Sequence, residues 1–588
     1  MKIKKSTVYM VLALILAVAL IAVGCGAVNN GTLSSDPTGT KPAGTTATDP
    51  TDPGETTEPT LPPPGWENGF IAAAGTEVTY YDANGTALGT VKRGTQVVFL
   101  KDTDGTTQIQ FANTTAYLKN AFNVVSNLEE AVLSQTLYVK SAVNLRDVDG
   151  KLLAPLAKKG DDVTVTGFDY LNADGSAHMY KVDLDGKSGY IMPWYVVNTE
   201  EEALVNYDYN GAYTNAHSDR GNRFGGGGAA NLDYFPREKG DIAGNVMPEE
   251  CRTLYLNSSA LNNLDAYITL AKSSGINAFC VDIMDGDAIG YKSPVMEKYS
   301  PSTVRIAAHS AEFYAKCIQK IKDAGFYVIG RITAFNDTTF VKDNKSSHPE
   351  AVITGTDGNP LKLNSVYWPS AYSRLAWQYK VDLAVEAVEL MGFNEIQYDY
   401  VRFPDLTSSY EEAGTINYHN VYGETKAQAI QRFLMYATDI LHEKGVYVSA
   451  DVFGETANNY VAAYGQYWPA ISNVVDVISG MPYPDHWAPY GGFIPWEDPY
   501  RTIYDWGTKV VKRQAETATP AVVRTWIQAY DTNWKKPYVT YDAAKVAAQI
   551  KALRDTGCTG GFLTWNGSSS LSKYQAISSA FGPAKKED

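Results

Sequence analysis

The stretch Glu395-Ile396-Gln397-Tyr398-Asp399-Tyr400-Val401-Arg402-Phe403-Pro404 decides the fold of this chain. It predicts a buried strand over 395–403, stopped by a proline that has no N–H for a further ladder. Gln397 and Asp399 fall on one face at the strand period of two. Burying an unpaired carboxylate costs several kcal/mol or moves its pKa. Asp399 is therefore expected to be paired, or to stand at a strand end facing a solvent-filled site. The segment Val448-Ser449-Ala450-Asp451-Val452-Phe453-Gly454-Glu455 repeats the arrangement, an apolar run closing on acids. Acids near the C-terminal ends of successive strands predict a (β/α)₈ barrel, whose chemistry gathers at that end.

Outward from these two strands, the C-terminal half alternates. Strands are also predicted at 253–257, 278–284, 327–333, 474–479, 522–528 and 561–565, and 446–452 is the strand of Asp451. Helix-length segments separate most of them, among them 264–273, 310–324, 373–391, 426–443 and 541–555. Leu383, Val385, Val388 and Leu390 mark the apolar side of one such helix. Eight strands alternating with helices over 251–588 fit a TIM barrel. A doubly wound open sheet is the alternative, but its dinucleotide-binding form carries a Gly-rich fingerprint after the first strand, and none follows here. No HExxH, zinc-ligand cysteine spacing or G-x-S-x-G elbow occurs. Metalloprotease and esterase readings are thereby disfavoured, and no metal or cofactor is predicted.

In a barrel, the residues at the strand C-termini form the candidate site. They are Asp282 and Asp285 on strand two, Arg331 on three, Asp399 and Arg402 on four, and Asp451 and Glu455 on five. Strand six runs into Met481-Pro482-Tyr483-Pro484-Asp485-His486-Trp487, strand seven carries Trp526 and Gln528, and strand eight ends in Trp565-Asn566. Cleaving a glycosidic bond takes one carboxyl group to protonate the leaving oxygen and another to attack the anomeric carbon or activate water. Asp399 is assigned as nucleophile or charge stabiliser, kept ionised by the nearby Arg402, and Asp451 as acid/base. Glu455 competes with Asp451, being longer and further into the loop. A barrel-end salt bridge between Asp399 and Arg402 is the structural alternative. Asp282, Arg331, Arg402, Tyr483, His486, Trp526 and Trp565 are the candidate substrate contacts. A carboxyl gap of about 5–5.5 Å would mean retention of configuration, and roughly 6.5–9.5 Å inversion.

The chain of 588 residues has a net charge of −15, which argues against a nucleic-acid partner. Its 40 tyrosines and 11 tryptophans suit stacking on sugar rings as well as large aromatic cores. Lys2, Lys4 and Lys5 precede an uncharged apolar run over 8–23, too short for a membrane span and fit for a secretory signal. The run ends in Ala22-Val23-Gly24-Cys25, which resembles a bacterial lipobox. The resemblance implies cleavage after residue 24 and lipidation of Cys25, placing the protein on the outer face of the cytoplasmic membrane. Residues 25–69 are rich in Thr, Pro, Gly and Asp and cannot bury a core, so they read as a tether. The other four cysteines are scattered, and Cys280 and Cys317 read as buried.

Short strands and Gly turns fill 70–127 and recur in the same order over 135–200. The "NLRD … KKGDDVTVTG … YKVDLDGKSGYI" layout of the second unit resembles a bacterial SH3-like domain, and the first is its weaker repeat. The resemblance implies a cell-wall polymer as partner, or a spacer role. Residues 201–250 contain four glycines, Gly225 to Gly228, with no Lys-Ser/Thr after them, so a P-loop is rejected. This segment is expected to pack on the barrel as a folded extension.

"YDYVRFP", "ADVFG", "SGMPYPDHW" and "GGGGAANLDYFPREKGDI" are similar to a bacterial glycoside hydrolase family, a TIM-barrel domain related to the α-amylase and α-galactosidase clans. The likeness covers roughly residues 245–574. In the related clans a strand-four aspartate is the nucleophile, which implies that role for Asp399. The strand-five acid of α-amylases is a glutamate, whereas this chain has Asp451 with Glu455 beyond it, so the acid/base stays open between them. The expectation is a lipid-anchored glycoside hydrolase acting on an envelope or extracellular polysaccharide, including peptidoglycan as one class. A non-catalytic wall-binding protein with a degenerate barrel is the alternative.

Overall fold

The computed structural model describes residues 68–583 apart from 73–76, 104, 112, 120–123, 133–134, 173–175, 206–207, 215, 219–228, 230–231 and 233–238. The signal segment, Cys25, nearly all of the tether and the Gly225 to Gly228 run lie outside the described residues.

From residue 251 the chain alternates strand and helix. The strands are β1 (Cys251–Leu256), β2 (Ala278–Asp285), β3 (Tyr327–Thr333), β4 (Glu395–Asp399), β5 (Tyr447–Phe453), β6 (Val477–Met481), β7 in two pieces (Val522–Val523 and Thr525–Gln528), and β8 (Gly561–Trp565). Each is followed by a helix: α1 (Leu264–Lys272), α2 (Ala311–Asp323), α3 (Arg374–Met391), α4 (Lys426–Glu443), α5 (Trp468–Ser472), α6 (Pro499–Ala515), α7 (Ala543–Thr556) and α8 (Leu571–Ile577). Neighbouring strands pair in parallel in chain order, and β8 pairs with β1. The first piece of β7 pairs with β6 and the second with β8. The nine parallel segments thus make a nearly closed barrel, with β7 changing neighbours at Arg524.

Local signals explain the helix ends. Ser373 caps α3 by accepting from the Ala376 N–H, and Gly392, at φ +71°, ends it in the left-handed region. Thr425 and Gln428 form a capping box on α4. The buried side of α3 carries Leu383, Ala384, Ala387, Val388 and Met391 at helical spacing. Leu390 departs from the expected stripe and is 49% exposed, because a step of two from Val388 leaves the 3.6-residue face. Strand four ends at Asp399, four residues earlier than expected. Tyr400 turns the chain there, at φ +49°. A non-glycine residue in that region is uncommon and marks a constrained turn.

Two antiparallel units precede the barrel, spanning 69–125 and 135–197. With strands numbered along the chain within each unit, both have the spatial order 3-2-6-5-4-1-7. The repeat seen in the turn signals is therefore a repeat of topology. The first unit closes its own core around Ile71, Val91, Val97, Ile109 and Leu118. The core of the second, around Leu137, Leu145, Val163 and Val182, also takes in Met435 of α4. Arg146 pairs with the buried Asp439 of α4 at 2.5 Å, and Tyr195 donates to the same carboxylate at 2.7 Å. From the following segment, Ala212, Tyr213 and Leu232 pack on Val461, Tyr467 and Ala470.

Candidate active site

Every inner position of β4 reaches across the barrel to a strand that is not its neighbour, or sideways to β3. Glu395 accepts two bonds from Arg524 of β7, at 2.8 and 3.0 Å. Gln397 donates to Ser479 of β6 at 3.2 Å and accepts from Cys280 of β2 at 3.4 Å. Asp399 accepts from Arg331 of β3 at 2.6 Å. Period two along one strand thus puts a carboxylate at each end of the barrel and an amide between them.

Arg331, with a side chain 1% exposed, organises the C-terminal end. Its Nη1 donates to Asp282 at 2.7 Å and to Asp285 at 3.2 Å, while Nη2 holds Asp399. The rings of Trp565 and Tyr255 lie 5.4 and 5.9 Å from the guanidinium. Tyr255 also donates to Asp282, and Tyr314 donates to the Asp282 carbonyl at 2.6 Å. That tyrosine fits only because residue 290 is glycine, since a Cβ there would lie 2.1 Å from its hydroxyl. Burial pushes the Asp282 carboxyl up to about 7, against the pull of Arg331. Asp399 takes a further bond from the Tyr400 N–H at 2.6 Å, so the strained turn holds the carboxylate in place.

Asp451 sits differently. The register Gln397↔Ser449 and Tyr398↔Ala450 brings it beside Asp399 at the end of the adjacent strand. It is fully buried, Trp526 donates to its Oδ1 at 2.7 Å, and among the described residues its Oδ2 has no hydrogen-bond partner. Burial, and then the negative charge of Asp399, hold this carboxyl well above the usual range. Arg331 and the Trp526 N–H pull the other way and are outweighed. Tyr483, also buried, has its hydroxyl pushed up by burial, then by Tyr530 and the two aspartates.

The structure changes two expectations. Arg402 lies beyond the Tyr400 turn and does not pair with Asp399; Arg331 does. Arg402 is enclosed by the rings of Phe453, Trp368, Tyr400 and Tyr464 at 4.5–5.8 Å and donates to the Phe403 carbonyl at 3.0 Å. Glu455 leaves β5 in the short turn Gly454–Ala457 and accepts from Tyr464 at 2.6 Å, beside that cage. Arg331 fills the space among Asp282, Asp285 and Asp399, so a guanidinium compensates their charge. Among the described residues no group of His, Cys, Asp or Glu is placed to hold a metal ion.

Residues 253–571, more than half of the chain, match the family described as "putative glycosyl hydrolase domain". The chain belongs to this family. No curated protein matches it. Similar solved structures include a hypothetical protein from Ruminiclostridium thermocellum, 31% identical over 34% of this chain and 97% of that one, with a TM-score of 0.28. The glycoside hydrolase domain of PgaB (BpsB) from Bordetella bronchiseptica is 14% identical over 56% of this chain and 99% of that one, with a TM-score of 0.40. A Group II chitinase catalytic domain from Ostrinia furnacalis is 12% identical over 55% and 91%, with a TM-score of 0.33.

Within this glycosyl hydrolase domain, the barrel gathers Asp282, Arg331, Asp399, Asp451, Tyr483, Trp526 and Trp565 at one end. His486, on the loop after β6, packs its ring edge-on against Tyr483 at 5.1 Å. Tyr255 is an addition to the expected set. Its signal is its place two residues after Thr253 on the inner face of β1, at the strand end. Tyr530 and Trp534, just after β7, are also additions. Tyr530 donates to the buried Asp485 at 2.8 Å.

Proposed function

We propose that the protein is a cell-surface lipoprotein that hydrolyses O-glycosidic bonds of an extracellular or envelope polysaccharide, with Asp399 and Asp451 as its carboxyl pair. The observation that carries this reading is the contrast between two neighbouring aspartates. Asp399 is held by Arg331 and the Tyr400 N–H, partners that favour the carboxylate. Asp451 is buried beside that charge and keeps its proton. In the reaction, Asp451 gives its proton to the glycosidic oxygen as the bond to the anomeric carbon breaks. Asp399 meets the developing positive charge, by attack on that carbon or by directing water onto it. Water supplies the hydroxyl of the new reducing end, and its released proton returns one carboxyl to its starting form. Trp526 orients Asp451, and Trp565, partly exposed and packed on the buried Tyr255, offers an aromatic face to the sugar. The lipobox ending in Cys25 supports anchoring at the membrane, and the two β units support a role at a wall polymer as SH3-like domains.

The test is reducing-sugar release from a panel of wall and extracellular polysaccharides by the full chain and its Asp399→Asn variant. Release by the parent that disappears in the variant is expected. Equal release by both would overturn the assignment of Asp399. Anchoring is tested by mass analysis of Cys25, where an unmodified thiol on the mature protein would overturn it.

A further inference from the structure

Beside the carboxyl cluster, the loops after β7 and β8 line an open surface cavity of about 480 Å³. That size lies within the roughly 300–1,000 Å³ range of small-ligand sites. Trp565 forms the shared wall, lining the cavity while packing on Tyr255 and Trp526 at 4.8 and 5.5 Å. The outer wall is Trp534, 64% exposed, whose ring stacks on Tyr530 at 5.7 Å and 24°. Tyr530 is fixed by its bond to Asp485 and by its edge contact with Tyr483, 6.2 Å away. An exposed indole backed by an anchored ring is a rigid flat platform that needs no ordering when a ligand settles on it.

The charges in the cavity balance. Asp531 is paired with Lys573 at 2.5 Å, with both side chains mostly buried. His486, on the rim with its side chain 59% exposed, has its proton affinity lowered by partial desolvation, with Asp485 opposing and Lys535 adding to the effect. Exposed Asn533 supplies amide donors and an acceptor without charge.

We propose that this cavity is a pyranose subsite next to the cleavage point, selecting an uncharged sugar unit, neutral hexose or N-acylated amino sugar, that stacks on Trp534. This rests on the glycoside hydrolase reading for its substrate class, but binding is separable from cleavage. A uronate or a free amino sugar would bring a charge into a site whose one ion pair is already complete, and would lose part of its hydration without compensation.

The experiment uses the full chain carrying Asp399→Asn, so that no probe is consumed. Indole fluorescence is titrated with four pentasaccharides: a neutral glucan, an N-acetylated glucosamine oligomer, its de-N-acetylated cationic form, and an oligogalacturonate. At least one neutral probe is expected to bind, with both charged probes roughly tenfold weaker or more. Trp534→Ala, a surface change, should weaken the neutral probe by roughly tenfold. Lys573→Met leaves Asp531 uncompensated and should shift the cationic-to-neutral affinity ratio towards the cationic probe by a similar factor. Charged probes binding as tightly as neutral ones, no binding by any probe, or neutral binding indifferent to Trp534 would each overturn the subsite. Loss of hydrolysis in the parent, with this selectivity intact, would instead overturn the catalytic reading alone.

Discussion

The two ends of β4 carry the same chemistry in different settings. At the N-terminal end Glu395 is 0% exposed and pairs with an equally buried Arg524, while Tyr327 donates to it at 3.1 Å. At the C-terminal end Asp399 is 10% exposed and shares Arg331 with Asp282 and Asp285, beside a second acid, Asp451, whose pKa burial and the Asp399 charge raise. A carboxylate–guanidinium pair therefore says little about function by itself. What separates the two is the surplus of carboxyl groups over guanidinium at the C-terminal end and a neighbouring acid, Asp451, whose pKa is held well above the usual range. One pair holds the barrel floor, and the other, in the function proposed above, holds the reagent.

This comparison breaks if the two pairs respond alike to removal. Asp399→Asn is nearly isosteric and should lower kcat/KM by roughly 10²–10⁴-fold. Its melting temperature should stay near the parent's, because the site carries spare negative charge. Glu395→Gln should do the reverse. It leaves Arg524 buried without its counter-charge, which costs about 3–5 kcal/mol. A fall of several degrees in melting temperature should accompany near-parental turnover in the fraction that remains folded. Calorimetry and initial rates on both variants decide the matter; activity loss in both, in proportion to unfolding, would make the top pair structural as well.

The sequence marks Asp399 but not its partner, and the reason is range. Period two exposed Asp399 and Gln397 as inner-face residues because alternation is local. Local patterning points to Arg402, three residues away, whereas the guanidinium beside Asp399 comes from β3, 68 residues earlier, through a strand register that local patterning does not encode. The strand end was overrun for a similar reason: nothing in Tyr400 announces a left-handed turn, as a glycine would have. Trp534 and Tyr530 lie in a loop, where no periodicity marks which aromatic faces a cleft. By contrast, the two β units were legible as a repeat, since their Gly turns recur in the same order and fix the same strand order.

The acid end is sharpened by pH. In the proposed reaction Asp451 acts as the acid and needs its proton, so kcat/KM should fall as pH rises through its elevated pKa. The Trp526 indole favours the ionised form by donating to it. Trp526→Phe removes that donor and should move the alkaline limb to higher pH, while the acid limb stays in place. An unmoved alkaline limb would mean that Asp451 is not the group being titrated.

The smallest effect extends the comparison to a third cation–carboxylate cluster, where the second β unit meets α4. His178 donates through Nδ1 to Asp169 at 2.6 Å and through Nε2 to Glu443 at 3.1 Å, with the Tyr170 ring stacked on it at 4.3 Å. Burial disfavours its charge, but the two carboxylates outweigh that and raise its pKa to about 9. A raised histidine stabilises the folded state fully below its unfolded value of about 6.5, and the contribution disappears as pH rises through the folded value. The melting temperature should therefore decline between about pH 6.5 and 9. In His178→Gln, which cannot take up the proton, the decline over that window should be shallower. The neighbouring Arg146 guanidinium, opposed by burial but raised further by the Asp439 beside it, stays charged in this range and should contribute no slope. Identical pH profiles in the two proteins would show that the β unit is held by Arg146, Tyr195 and Met435 alone, and that His178 is a bystander at the joint.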